Sequence, residues 1–474
     1  LVSNASPATT GGTVTIGAVS EGGTFTYDLG TDFTDDVDTD GELTYTKVSG
    51  TLPSGCTLPT TGNSAFTGTA SGVSSNTNYT FTIKVTDTSG GTATQNYQQT
   101  INTVAATTTG GTVAITGAAG GTAISYDVDA NFTFATGSTF SAYSLASGTL
   151  PSGTTLNAST GVISGTAGNS GSYSFTIRAT DTDGDTADQS YSWSITAPVG
   201  QSEYTNPGTY SWVAPAGVTS VSVVAVGGGG AGLGAPTVSS GGGGLGWKNN
   251  IAVVPGSTYS VVVGARGTRE VSDGAWVAAG DSYFINTSTV KGGFGFPDTT
   301  LTGLNQFGGG GTFTGDGGGN GGNGAWGTGG AEPGGGGAGG YSGTGGTGGY
   351  SDNTTWSTAT DGSGGGGGGG QSGDFSGGGG GGVGIYGAGS SGTAGVFSVA
   401  PKYGDGGNGG SGGTSGINAT DNGSDTITWS YGGDYGGGGF GRFGNDGNSY
   451  GAHGAVRIIW GDNRSFPSTG TANQ

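Results

Sequence analysis

Asp181-Thr182-Asp183-Gly184-Asp185 is the stretch of this chain best suited to chemistry. Aspartates at alternating positions around a glycine can converge carboxylate oxygens on a hard cation, and calcium takes oxygen ligands of this kind. The same residues also encode a tight hairpin, because Asp183-Gly184 is a strong type I′ turn signal. The bidentate glutamate that closes an EF-hand loop is missing, so calcium loop and plain turn both stay open. A second group is aromatic: Trp326, Tyr341, Tyr350, Trp356 and Phe375 punctuate a glycine-rich region. Such rings could stack on sugars or insert into a partner's surface. The preferred reading is that they fill space between glycine segments, since glycine has no side chain and protein interiors are close-packed.

Much other chemistry is excluded by composition. The chain has one histidine, His453, and one cysteine, Cys56. A histidine-based triad or a multi-histidine metal centre is thus almost excluded, and no intramolecular disulfide can form. Cys56 reads as a small half-buried loop residue, and His453 as a structural residue in a turn. No activated nucleophile is readable, so the chain is expected to be non-enzymatic, with no cofactor beyond calcium. The net charge of −20 repels nucleic acid and anionic membranes. No apolar run reaches the 18 or so residues that span a bilayer, and no signal peptide is read. The chain has no Met, even at position 1, so it is expected to be processed, truncated or part of something longer.

The elements that must position these residues are β. Residues 1–104 and 105–198 form an internal repeat: SGTLPSG at 49–55 returns at 147–153, GTA at 68–70 returns at 165–167, and YTFTI at 79–83 returns as YSFTI at 173–177. In both, apolar residues alternate with Thr, Ser and basic residues, as in Tyr79, Phe81, Ile83, Val85 and Tyr173, Phe175, Ile177, Ala179. Such alternation marks half-buried strands, and turn residues punctuate them. Each repeat is expected to be an immunoglobulin-like or cadherin-like sandwich. An acidic run in the first repeat, DDVDTDGE at 35–42, poses the same choice between cation site and loop. It has no counterpart in the second repeat, which favours a variable solvated loop.

Residues 199–208 read as a linker, broken by Gly200 and Pro207-Gly208. Residues 209–474 read as a β-sandwich carrying a glycine-rich excursion over about 305–450, its first and last strands coming from 209–226 and 454–461. Further strands are expected at 251–254, 258–263 and 282–285. The chain holds 117 glycines, roughly a quarter of its residues. Collagen is excluded by the absence of a strict triplet period, and a flexible linker has no use for the spaced aromatics. Two options remain. One is a bundle of polyproline-II-like glycine segments hydrogen-bonded to one another. The other is irregular glycine loops packed on the sandwich. The fold class is thus all-β, with two tandem Ig-like sandwiches followed by a glycine-bearing sandwich.

Three stretches carry resemblances. SGTLPSG, TGVISGTA and YSFTIRATDTDGDTA together resemble the Ig-like repeats common in bacterial surface and phage proteins, where such repeats serve as spacers or display modules. TYSWVAPAGVTSVSVVAVGGGGAG at 209–232 resembles the start of glycine-rich domains in phage tail and fibre proteins. GAVRIIWGDNRSFPSTGTANQ at 454–474 resembles the C-terminus of virion structural proteins of phages that infect marine cyanobacteria, with Gly470 where that family has Asn. The resemblance implies a virion component: a fibre, tail appendage or capsid-surface protein, on the virion surface. Its implied partners are other virion or filament subunits, a homo-oligomer of this chain, and a host cell-surface receptor or glycan met by the glycine-rich domain. Some phage adhesins are packed glycine bundles, which supports the first of the two options above. The other class to weigh is a secreted bacterial surface or extracellular filament protein built from Ig-like modules.

Overall fold

The computed structural model describes the chain apart from residues 1–4, 40–41, 60–62, 135–138, 234–236, 271–275, 297–306, 328–330, 352–355, 374–376, 398–403, 418–429, 441–447 and 468–474. It divides into two compact units, Leu1–Thr196 and Ala197–Gln474.

The first unit is two sandwiches of one topology. In the first repeat, Thr13–Ser20, Thr92–Asn102, Thr77–Thr86 and Thr44–Gly50 form one sheet in that spatial order, and Thr24–Asp28, Ala65–Thr69 and Cys56–Thr57 form the other. The second repeat uses Thr112–Ala119, Thr186–Thr196, Gly171–Asp181 and Phe140–Gly148, against Ala123–Asp127, Val162–Thr166 and Thr154–Leu156. In each, the first long strand pairs parallel with the last. The period-2 pattern explains the burial. Phe81, Ile83 and Val85 point into the first core with Phe66, Tyr45 and Tyr97. Phe175, Ile177 and Ala179 point into the second with Ile163, Tyr143 and Trp193. Burying such side chains stabilises each sheet pair by about 1.5–3 kcal/mol per large residue.

The second unit opens with a sandwich. One five-stranded sheet runs Gly200–Tyr204, Ala455–Trp460, Ser220–Val226, Leu245–Ala252, Gly317–Gly319. The facing sheet runs Gly208–Val213, Thr258–Val263, Ser282–Phe284, Val290–Gly292, Phe313–Thr314. The two ends of this region do meet, as expected: Ser220–Val226 pairs antiparallel with Ala455–Trp460. Val221, Val223 and Ala225 point into the core between the sheets. Val224 and Val226 point the other way, onto Ala338, Tyr341, Val383 and Ile385 of the glycine-rich region. A strand buried on both faces must be apolar throughout, which is why it reads as a run of valines rather than an alternation.

Three expected boundaries are corrected. Residues 199–208 are not a linker: Gly200–Tyr204 is an edge strand paired with the last strand of the chain. It is held there because Arg457, fully buried, needs Glu203 (Nε–O 3.1 Å) and Gln201 (2.6 Å) to meet its charge. The strand expected at 251–254 is Leu245–Ala252 instead. The glycine-rich part also begins earlier than residue 305. Glycines 227–230 and 241–244 already belong to it, with Gly227 N–H bonding Gly244 O and Gly230 N–H bonding Gly241 O.

The glycine runs are ordered with a threefold rule. In segment 334–339, the N–H groups of Gly334 and Gly337 bond Gly349 and Gly346. Those of Gly335 and Ala338 bond Gly378 and Gly381, and those of Gly336 and Gly339 bond Ser240 and Gly243. The carbonyls repeat the pattern toward other neighbours: Gly334 and Gly337 accept from Ala325 and Gly322, Gly335 and Ala338 from Gly370 and Gly367, and Gly336 from Gly438. Successive residues therefore face successive neighbours, and each neighbour is met again after three. That is the symmetry of the polyproline-II helix, which makes no hydrogen bonds within itself. A Cβ at Gly337, Gly370 or Gly381 would lie closer than 3.0 Å to the carbonyl of the adjoining segment. Glycine is what lets the segments approach closely enough to satisfy one another's backbone.

Candidate metal centre and aromatic surface

Asp181 ends the strand Gly171–Asp181 and folds the turn after it. Its Oδ1 accepts the N–H groups of Gly184 (2.9 Å) and Asp185 (2.8 Å). The turn thus forms, and it also gathers charge. One carboxylate oxygen from each of Asp181, Asp185 and Glu21 lies within 4.8 Å of the others. Glu21 belongs to the first repeat, just past Thr13–Ser20, so the cluster sits where the two sandwiches meet. Glu21 is itself anchored, accepting the N–H of Val73 (3.2 Å) and of Val104 (3.1 Å). Glu21 and Asp181 are both 3% exposed.

Asp183 stands beside this trio rather than within it. Both its oxygens are out of solvent with no hydrogen-bond donor, as is Oδ2 of Asp185. A Cβ at Gly72 of the first repeat would run into Asp183 Oδ2, so Gly72 is what admits the carboxylate. Burial pushes the Asp183 carboxyl up, followed by the charge of Asp181, hydrogen bonding to Asp181, and the charge of Glu21. Burial likewise raises Asp185, with Asp181 and Asp183 adding to it. Carboxylates gathered and desolvated in this way favour either a proton or a cation between them. Of the expected set, Asp181 and Asp185 are brought together while Asp183 lies beside them, and Glu21 is the residue that sequence reading missed. Its signal was faint: a lone Glu in a Ser-Glu-Gly-Gly turn, 160 residues from Asp181.

The five aromatics separate. Trp326 and Tyr350 are half-buried and stacked, with ring centroids 5.0 Å apart at 28°. They sit on a small sheet of Thr237–Val238, Trp326–Gly327, Tyr350–Ser351 and Trp356–Ser357, so the backbone of Trp356 joins them. Phe375 lies outside the described residues. Tyr341 is corrected as a surface contact: it is 1% exposed, stacked on Phe466 at 6.0 Å, with its hydroxyl donating to Gly384 O. It fills the space where glycine segments meet the sheet. His453, half-buried, accepts the Arg266 N–H on Nδ1 (3.2 Å), and burial lowers its pKa, with the Arg266 charge adding to this. Cys56 is a half-buried free thiol in the short strand Cys56–Thr57.

Residues 6–102 and 104–196 each match the family described as "Putative Ig domain", so the first unit is two Ig-like repeats in tandem. No curated protein matches the chain. Among solved structures, it is similar to an endo-fucoidan hydrolase of glycoside hydrolase family 107 at 19% identity, over 40% of this chain and 29% of that one, with a TM-score of 0.24. It is also similar to the extracellular cadherin domains 3–6 of protocadherin gamma B2 at 13% identity, over 41% and 52%, TM-score 0.19. The human desmocollin-1 ectodomain matches at 10% identity, over 44% and 50%, TM-score 0.20. The chain spans less than a third of the length of that hydrolase. Among the described residues, no helix is long and apolar enough to cross a membrane.

Proposed function

We propose that this chain is a non-enzymatic structural protein of a phage virion, in which Ig-like repeats act as a calcium-braced spacer and the glycine bundle serves as the domain for assembly or attachment. The observation that carries the structural reading is the threefold hydrogen-bond pattern of the glycine segments. In this frame interior positions such as Gly337, Gly370 and Gly381 admit no side chain. It suits a rigid scaffold whose turns face outward. The tandem Ig-like repeats fit a spacer, and the two ends of the second unit are the stretches that resemble phage tail, fibre and virion proteins.

Calcium enters through the repeat junction. Glu21, Asp181 and Asp185 would share one ion, with Asp183 beside them, and the ion would neutralise charges that otherwise repel and would fix the angle between the sandwiches. Attachment, in this reading, falls to the Trp326–Tyr350 stack, whose half-buried rings offer a flat apolar face to a host glycan or surface protein.

Antibodies raised against the second unit test the assignment. Labelling of purified phage particles at a discrete appendage or on the capsid supports it. Labelling confined to bacterial envelopes or extracellular filaments would replace it with a secreted surface protein, built from the same Ig-like modules.

A further inference from the structure

The two repeats share a strand-end aspartate but surround it differently. Asp87, just after Thr77–Thr86, holds its turn as Asp181 does: Oδ1 accepts the N–H groups of Ser89 (2.8 Å) and Gly91 (2.8 Å). Where the second repeat then supplies Asp183 and Asp185, the first has Ser89 and Gly91. Two other carboxylates arrive instead. Asp35 and Asp38 come from the acidic run that precedes Thr44–Gly50, and one oxygen from each lies within 4.8 Å of the others and of one from Asp87.

Asp87 is 6% exposed, and its Oδ2 is out of solvent with no hydrogen-bond donor. Asp35 Oδ2 is in the same condition. The donors nearby are directed at other atoms. Asp35 Oδ1 accepts the N–H groups of Val37 (3.0 Å) and Asp38 (2.7 Å), and the Asp38 carboxylate accepts the N–H (3.2 Å) and hydroxyl (2.8 Å) of Thr88. Buried anionic oxygens left without a donor are strongly unfavourable unless a positive charge meets them. Asp35 and Asp38 of the acidic run thus lie against Asp87, while Asp36, Val37, Thr39 and Glu42 are exposed.

We propose that Asp35, Asp38 and Asp87 form a second calcium site, completed within the first repeat and independent of the junction cluster. Calcium rather than magnesium fits three converging carboxylates, because it accepts six to eight oxygens at about 2.3–2.6 Å in a tolerant geometry, whereas magnesium demands a near-ideal octahedron and keeps its waters.

Calcium titration of the full chain by isothermal calorimetry tests this. Asp35→Asn keeps Oδ1 for the loop hydrogen bonds and removes the charge. The variant is expected to bind one ion fewer per chain than the wild type, or to bind that ion at least tenfold more weakly. Asp38→Asn serves as a second variant should Asp35→Asn fail to fold, as judged by circular dichroism in chelator. Unchanged stoichiometry and affinity in the folded variant, or no calcium binding by the wild type, would overturn the proposal. Asp183→Asn reports on the junction separately. If it changes nothing while Asp35→Asn loses an ion, the junction reading fails and this one stands.

Discussion

Glu21 of the first repeat and Asp181 of the second bring carboxylate oxygens to within 4.8 Å across the junction, with both side chains 3% exposed. Two buried like charges at that distance need a counter-charge, since their repulsion is poorly screened away from water. The full chain is therefore expected to melt at a higher temperature in calcium than in chelator, with the transition of the Ig-like unit moving. Differential scanning calorimetry of the wild type and of Asp183→Asn measures it. The variant should show a smaller calcium shift, and a chelator-state transition at or above that of the wild type. An unchanged wild-type melting temperature would remove calcium from the junction.

The same carboxylates set a pH dependence. Asp183 and Asp185 have folded-state pKa values raised above the ordinary 3.8. A raised carboxyl binds its proton more tightly in the folded state, so the stability it contributes is present at low pH and is lost as pH rises through the folded value. In chelator, the first unit should gain stability as the pH falls from neutral toward the raised values, until general acid unfolding intervenes. Saturating calcium should flatten or reverse that slope. Thermal melts across pH 4.5 to about 7 in both buffers compare the slopes directly.

The glycine frame predicts unequal tolerance. Gly337→Ala would drive a methyl group into the Gly367 carbonyl and should cost on the order of 3 kcal/mol or prevent folding of the second unit. Gly17→Ala, in a strand of the first repeat with open space around it, should be neutral or slightly stabilising. Denaturant titrations of the two variants measure the contrast.

Amide hydrogen exchange separates an ordered bundle from loose loops. Peptides covering 334–339 should exchange slowly, because every N–H in that segment bonds a neighbouring segment. Exchange within seconds would contradict the packing.

The aromatic pair and Tyr341 should behave oppositely. Trp326→Ala should weaken binding of host envelope to the full chain with little loss of stability. Tyr341→Ala should destabilise the second unit by about 3–5 kcal/mol, since it empties a fully buried site. Pull-down of envelope material, alongside melting curves, tells the two apart.

The repeats were legible because their physics is local. Alternation at Tyr79–Val85 and Tyr173–Ala179 depends only on the pleat, and the structure buries Phe81, Ile83 and Phe175, Ile177 as that alternation requires. The strand Thr258–Val263 follows from the same logic. The misses involve partners distant in sequence. Glu21 acquires its role from Asp181 in the other repeat, and Asp35 from Asp87 across a strand pair. Gly200–Tyr204 resembles a linker until buried Arg457 demands Gln201 and Glu203 beside it. Glycine composition showed that a packing reason existed. Which segment lies beside which is written only in hydrogen bonds between residues far apart in the chain, such as Gly229 N–H to Ala452 O and Ser240 N–H to Gly439 O.

The threefold bonding also divides the chain into letters that are fixed and letters that are free. At interior positions such as Gly337, Gly370 and Gly381, the neighbouring carbonyl vetoes every other residue. At exposed positions between segments, such as Thr360, side chains reach toward solvent and no such veto applies. Diversity can accumulate at the reversals without disturbing the lattice that carries them. A lineage under pressure to alter what it touches could rewrite its turns repeatedly and keep one unchanging skeleton of glycine.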